Sequence, residues 1–296
     1  MYNFNDQVLV RSYGKMVNIG YHTAKIQGKL LRSLYYSNIA SLVRIPIRQD
    51  RKVPIQVYAL SCERDLPEQV ASLRSFLAYV GIPDRFTIMS DGSYTPSSID
   101  LLKKIHPCVD VQPLVDFQRE DLPESVYAYA SQQAMGKKLA ALMSIPIEGA
   151  TLYTDSDILF FEGASDLADL AIASTAHTHY LPDCKSSLDR RLLWSEEENQ
   201  NPINAGFILF KKPLDWSETV KRLAQLTEPP NYFSEQTIVN LTIKYNQGVP
   251  LPSDKYIMNV DDQFIYADQF ANSKIAMRHY VSDIRHKFWI SNPIKS

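Results

Sequence analysis

Asp155 and Asp157 are the residues whose types and spacing carry the plainest chemistry. They interrupt two apolar runs, Thr151-Leu152-Tyr153-Thr154 and Ile158-Leu159-Phe160-Phe161, with Ser156 between them. Runs rich in β-branched and aromatic residues that break at acids read as a strand delivering carboxylates to its end. Successive side chains of an extended chain point to opposite faces, so the two acids face one way and Ser156 the other. Such a pair suits a hard divalent cation, Mg²⁺ or Mn²⁺, which takes oxygen ligands and keeps positions for phosphate. The plainer alternative is a polar turn, which Asp and Ser favour. The flanking apolar runs imply burial, and buried acids need a partner, which weighs towards the cation.

The elements that must position these acids follow from the patterning around them. Pro54 to Leu60 predicts a strand, followed by the loop Ser61-Cys62-Glu63-Arg64-Asp65. Leu66 to Val80 has helical apolar spacing and Gly81 stops it; Arg85 to Met89 is a second strand, closed by Ser90-Asp91-Gly92-Ser93. Strand, helix and strand at this spacing make a parallel βαβ unit, and such sheets bind ligands at the carboxyl ends of their strands. Ala59, Ser61 and Asp91 stand at those ends, although Asp-Gly is also simply a turn. Pro96 to Ile105 predicts a helix, Val109 to Leu114 a strand, and Pro123 to Ile145 one long helix. Lys137 and Lys138 lie towards the end of that helix, where basic residues suit the dipole in any case. Ile172 to His177 predicts another strand, and the neighbouring pair His177 and His179 reads as structural rather than metal-binding. The polar stretch Asp183 to Pro202 is either a functional loop or a solvated excursion. Asn204-Ala205-Gly206-Phe207-Ile208-Leu209-Phe210 is a buried strand entered through small residues. Helices at Leu214 to Leu226 and Phe233 to Tyr245 follow, then a strand from Lys274 that reaches His279.

Tyr153-Thr154-Asp155-Ser156-Asp157-Ile158-Leu159 resembles the Asp-x-Asp signature of GT-A glycosyltransferases, in the form of family 8, and Asn204-Ala205-Gly206-Phe207 resembles that family's sugar-pocket strand. The resemblance covers roughly Val53 to Trp289 and implies a Rossmann-like mixed α/β sheet flanked by helices. It implies transfer of a sugar from a nucleoside-diphosphate sugar, a UDP-sugar being favoured, to a hydroxyl of a glycan or glycolipid acceptor of bacterial type. Asp155, Asp157 and His279 would hold Mn²⁺ or Mg²⁺. Asp155, Ala59, Ser61 and Asp91 would contact the donor, Asp91 through its base, and Lys137 or Lys138 would reach it from the preceding helix. Asn204 would bond a sugar hydroxyl, and Arg285 or Lys287 would close over the diphosphate. Glu235-Gln236-Thr237-Ile238-Val239-Asn240 resembles the family's Asp-Gln-Asp-x-x-Asn segment, which implies Glu235 and Gln236 at the reacting centre; a helix cap by Ser234 with an acid in the first turn explains the same residues without catalysis. The chain departs from the pattern at Glu235, at Thr237 in place of the second acid, and near its end, where Ser282 replaces Gly, Arg285 replaces Lys and Trp289 comes two residues late.

Composition bounds the remaining readings. A chain of 296 residues with 45% hydrophobic content sustains one large α/β domain, and a net charge of −2 gives no general affinity for nucleic acid. Three widely spaced cysteines, Cys62, Cys108 and Cys184, fit a reducing compartment, and the start has neither a secretory signal nor a membrane span, so a cytoplasmic protein is expected. Residues 1–52 form a basic, partly helical arm and 53–296 the transferase domain. From Gln7 to Gln49 there is no acid, and Thr23 to Leu42 is amphipathic. A helix packed on the domain with a solvated basic edge is favoured over peripheral contact with a membrane surface. A sugar nucleotidyltransferase would need a Gly-rich loop after the first strand, which Ser61 to Asp65 lacks; a non-catalytic binding scaffold would tolerate loss of one acid of the Asp pair, and both are present.

Overall fold

The computed structural model describes residues 18–292, so the first seventeen residues of the arm lie outside it. Helix α1 (Ile19–Leu42) leads to strand β1 (Lys52–Ser61), α2 (Leu66–Tyr79), β2 (Ile82–Ser90), α3 (Pro96–Lys103) and β3 (Val109–Pro113). Gly81 has a φ of +133°, a conformation open to glycine, which lets α2 end and β2 begin at once. Thr95 caps α3 by accepting from the Ser98 amide at 3.2 Å. Next come α4 (Leu114–Phe117), α5 (Glu124–Gln132), α6 (Ala134–Ser144), β4 (Thr151–Thr154), β5 (Ile158–Phe160) and α7 (Asp166–Ile172). The chain continues through β6 (His179–Pro182), β7 (Ile203–Phe210), α8 (Ser217–Ala224), α9 (Ser234–Tyr245), β8 (Val249–Pro250), β9 (Tyr256–Ile257), β10 (Met277–His279) and α10 (Phe288–Ser291).

The strands form a seven-stranded mixed sheet in the order β3-β2-β1-β4-β7-β6-β8 and a three-stranded sheet in the order β5-β10-β9. β3, β2, β1 and β4 are parallel, while β7 runs antiparallel to both β4 and β6. Because β2 lies on one side of β1 and β4 on the other, the crossovers diverge at the β1/β4 boundary and leave a crevice at their carboxyl ends. Ser61 and Asp155 stand at that crevice. Apolar side chains pack on both faces of the large sheet, which is why β4 and β7 are buried throughout and β1 through most of its carboxyl-terminal half.

Tertiary contacts correct two local expectations and sharpen two others. The single helix expected over Pro123 to Ile145 breaks at Gln133, whose backbone is extended (φ −143°, ψ 147°), because Gly136 lets α6 pack directly against the Tyr129 carbonyl of α5. The break puts Lys137 and Lys138 near the start of α6, so the dipole does not explain them. The strand expected at Ile172 to His177 is not formed: Ile172 ends α7, the residues after it are irregular, and the strand begins at His179, where β6 pairs with β7. The strand ends at the acids, as read from the sequence, and Asp155 to Asp157 turn the chain out of the large sheet and into the small one. Finally, Asp183 to Pro202, largely exposed, is anchored to the domain at Asp189 and Glu198. Asp189 is buried and accepts from Ser234 at 2.6 Å and Arg191 at 2.7 Å, and Glu198 accepts twice from Arg222 at 2.9 Å.

Helix α1 rests on the domain through Ala24, Gly28, Ile39 and Leu42. Arg32 reaches the buried Glu68 at 2.6 Å, and Trp289 donates to the same carboxylate at 3.2 Å. No helix among the described residues is long and apolar enough to cross a membrane.

Candidate active site

A cavity of about 600 Å³ opens at the carboxyl ends of β1 and β4. A larger, more apolar cavity of about 750 Å³ between α5, α6 and α8 contains none of the expected site residues, so the chemistry directs attention to the first.

The floor of the site is the β4–β5 turn. The Asp155 amide donates to the Gly206 carbonyl at 2.8 Å and the Tyr280 amide to the Asp157 carbonyl at 2.9 Å, so the turn is stitched to both sheets. Asp155 accepts from Lys138 Nζ and from the Tyr153 hydroxyl, each at 2.8 Å. His279, arriving on β10, places Nε2 3.0 Å from Asp157 Oδ1 and 3.7 Å from Asp155 Oδ2. One ligand atom from each of Asp155, Asp157 and His279 lies within 4.8 Å of the others. The polar turn posed above as an alternative is present, and it gathers the three groups that could hold a cation.

The electrostatics match this crowding. Burial alone would raise the Asp157 carboxyl, but the His279 charge and hydrogen bond, with Arg285 and Lys138 nearby, hold it down at about 2. Burial lowers His279, yet Asp157 outweighs it and the imidazole is raised. Lys138, buried beside Asp155 and Glu235, is likewise held protonated. Glu235 goes the other way: desolvation lifts it to about 7 despite Lys138 at 4.0 Å. Its Oε1 is buried without a hydrogen-bond partner.

Two observations fit a divalent cation to these residues. Asn204 Oδ1 already accepts from the Gly206 amide at 2.9 Å and lies 3.0 Å from His279 Nδ1, so it accepts there too and fixes the proton on Nδ1. That orientation turns Nε2 towards both carboxylates, the arrangement a histidine ligand needs. Second, Gly206 leaves a cradle: a methyl there would sit 2.7 Å from Asp155 Oδ2 and clash with His279 Cε1.

The other expected residues divide. Ser61 and Asp91 line the cavity, their loops joined by the Asp91 amide donating to the Ser61 carbonyl at 3.2 Å, side by side as expected. Asp91 also closes its own turn, accepting from the Ser93 amide at 3.0 Å. Lys137, Lys138, Glu235, Gln236, Asn204 and Arg285 line the same cavity. Arg285 bridges Asp65 at 3.1 Å and stands 3.8 Å from Asp157, whereas Gln236 and Asn204 both donate to Asp183, at 3.0 and 3.2 Å. Two residues are elsewhere. Ala59 is buried in the main core. Lys287 is fully buried and neutralised by Asp262 at 2.9 Å, so it does not reach the cavity. Its place in the sequence beside Arg285 hid a half-turn of chain that points the two in different directions.

Sequence reasoning passed over Tyr153, Asp183 and the exposed pair Tyr232 and Phe233 at the cavity wall. Tyr153 was legible, since a residue two before Asp155 on a strand shares its face. Asp183 and the aromatic pair sit on irregular chain, where no periodicity announces a direction.

No protein-family model and no curated protein matches this sequence. Solved structures do. The bifunctional glycosyltransferase WbbM aligns over 86% of this chain and 52% of its own, at 14% identity and a TM-score of 0.51. The fold is that of the GT-A glycosyltransferases. Glycosyltransferase GlyE of Streptococcus pneumoniae TIGR4 aligns over 82% of this chain and 61% of its own, at 14% identity and a TM-score of 0.51. Mouse xyloside xylosyltransferase 1 aligns over 79% of this chain and 99% of its own, at 10% identity and a TM-score of 0.51. This chain thus spans about half of WbbM, about three fifths of GlyE and nearly all of the mouse protein. In this GT-A frame the Asp155, Asp157 and His279 group sits where the two sheets meet.

Proposed function

We propose that this protein is a metal-dependent glycosyltransferase that moves a sugar from a nucleoside-diphosphate sugar, a UDP-sugar being favoured, to a hydroxyl of a glycan or glycolipid. One observation carries the reading: two carboxylates and an oriented imidazole from separate sheets converge over the missing side chain of Gly206. When bound there, Mn²⁺ or Mg²⁺ would supply positive charge to the diphosphate leaving group. Asp155, Asp157 and His279 Nε2 would hold it, with Asn204 keeping the proton on Nδ1. Lys138 and Arg285 add fixed positive charge beside the same acids, and Lys137 lines the approach. Ser61 and Asp91 form the wall suited to the base and ribose.

In the transfer, the bond from the anomeric carbon to the phosphate oxygen breaks as the acceptor oxygen bonds to that carbon. Following the family 8 resemblance, we infer a retaining course in which the departing phosphate takes the acceptor proton. Glu235, poised near neutrality, stands beside the charge that develops on the sugar, and Gln236, braced on Asp183, faces the same space. The division into an arm of residues 1–52 and a transferase domain of 53–296, and a cytoplasmic location, complete the reading.

The test is thermal stabilisation by a panel of nucleoside diphosphates with and without Mn²⁺. A ligand at ~100 times its dissociation constant raises stability by about 2.7 kcal/mol. A Mn²⁺-dependent shift with one nucleotide, lost in Asp157→Ala and in Gly206→Ala, is expected and names the donor base. No shift with any nucleotide would leave a binding scaffold instead.

A further inference from the structure

Helix α1 has two apolar faces, and the fold uses only one. Ile19, Ile26, Leu30 and Leu34, seven and four residues apart, share the side turned away from the domain. Ile19 is 75% exposed and the other three 61% each. One exposed aliphatic side chain is ordinary, but four in line on one helix mark a contact surface.

A second segment extends that surface. Phe264, Ile265 and Tyr266 are exposed at the tip of the loop between β9 and β10. The Tyr21 ring meets Phe264 edge-on at 5.7 Å, and the Tyr266 hydroxyl donates to Gln27, so the tip lies against the first half of α1. The loop is firmly based. Asp262, fully buried, accepts from Arg278 at 2.7 and 3.1 Å and pairs with Lys287, while Asp268 pairs with Arg278 and accepts from Tyr280 at 2.9 Å. Three apolar side chains are therefore held out to solvent by a base with its ion pairs buried.

Charge selects the occupant. The stretch from Gln7 to Gln49 has no acid, and among its described residues Lys29, Arg44 and Arg48 are exposed and Lys25 lies over the Tyr21 ring. The loop's Asp262 and Asp268 are spent on Arg278 and Lys287, which leaves Asp261, bonded to Asn259, as the acid at its base. A second copy of the helix, in either direction, would set basic residues against basic residues with no acid on α1 to pair them. An anionic bilayer meets both needs, since aliphatic and aromatic side chains enter the acyl boundary while Lys and Arg stay among the headgroups. We propose that the outer face of α1 and the 264–266 tip dock this protein on an anionic lipid surface. The docked helix would sit one layer from the cavity, because Gly28 packs on the His286 carbonyl in the segment that carries Arg285. The proposal stands whether or not the transferase reading holds.

Co-sedimentation of the full chain with vesicles tests it. Binding is expected to mixed phosphatidylglycerol and phosphatidylcholine vesicles, weaker to phosphatidylcholine alone, and to fall with salt. Each basic residue near an anionic surface contributes roughly fivefold, so Lys25→Gln with Lys29→Gln should weaken binding about thirtyfold. The triple variant Ile26→Gln, Leu30→Gln, Leu34→Gln should lose binding while its melting temperature and circular dichroism stay those of wild type. The proposal is overturned if wild type ignores both vesicles or if the triple variant binds as well as wild type. It is overturned equally if sedimentation shows a dimer that the triple variant splits.

Discussion

Glu235 illustrates how much a single buried group is set by its neighbours. In the unfolded chain it ionises near its ordinary 4.5, whereas desolvation in the fold lifts it to about 7. Between those values the folded state binds the proton and the unfolded state does not, so this carboxyl costs stability progressively as pH rises through that window. Glu235→Gln removes the cost. The melting temperature of the variant relative to wild type should climb between pH 4.5 and 7 and then level off. A difference that is flat with pH would show that Glu235 is hydrated. At this scale the sequence was most legible where side chains share a strand face, as Asp155 and Asp157 do; Lys137 or Lys138, Asn204 and His279, which the family resemblance implied, line the same cavity. It misled at Lys287, where the direction of a side chain depends on a half-turn that no local pattern records.

Among the elements, the segment Asp183 to Pro202 is exposed over much of its length, as its polarity suggests, but anchored at a few points. Its Glu198 pairs with Arg222 of α8, which is 3% exposed and stacks on Trp194 at 3.7 Å from the ring centre. Arg222→Met would leave Glu198 without its cation, and removing one partner of a buried pair costs about 3 kcal/mol. Urea denaturation should show that loss, with proteolysis inside 183–202 arising before global unfolding; intact resistance to protease would mean the segment is held by Asp189 alone. The long helix expected over Pro123 to Ile145 failed for a related reason. Its propensity is helical on both sides of Gln133, and the bend goes with the packing of Gly136 on the Tyr129 carbonyl and with the bonds that Tyr129 and Gln133 donate to the Asn231 and Pro230 carbonyls.

For the whole molecule, the decisive feature is that the candidate site lies on the seam between two sheets, with Asp155 beyond β4, Asp157 before β5 and His279 on β10. A ligand held by all three would tie the small sheet to the large one. Hydrogen exchange with Mn²⁺ and the matching nucleoside diphosphate should therefore slow at 157–160 and 277–287 more than in β2 and β3; uniform slowing would speak against the seam. The chain by itself determined the βαβ start, the acid pair and the small-residue strand, because these rest on periodicity and on side chains that neighbours in sequence already orient, while the GT-A class was implied by the resemblance of the acid and small-residue motifs to family 8. Tertiary structure alone decided which lysine meets Asp155, that Asn204 orients His279, that Gly206 keeps the cradle open, and that α1 turns a second apolar face outward. Each of those depends on a contact between residues far apart in the chain, and local pattern holds no information about which distant surface a side chain will meet.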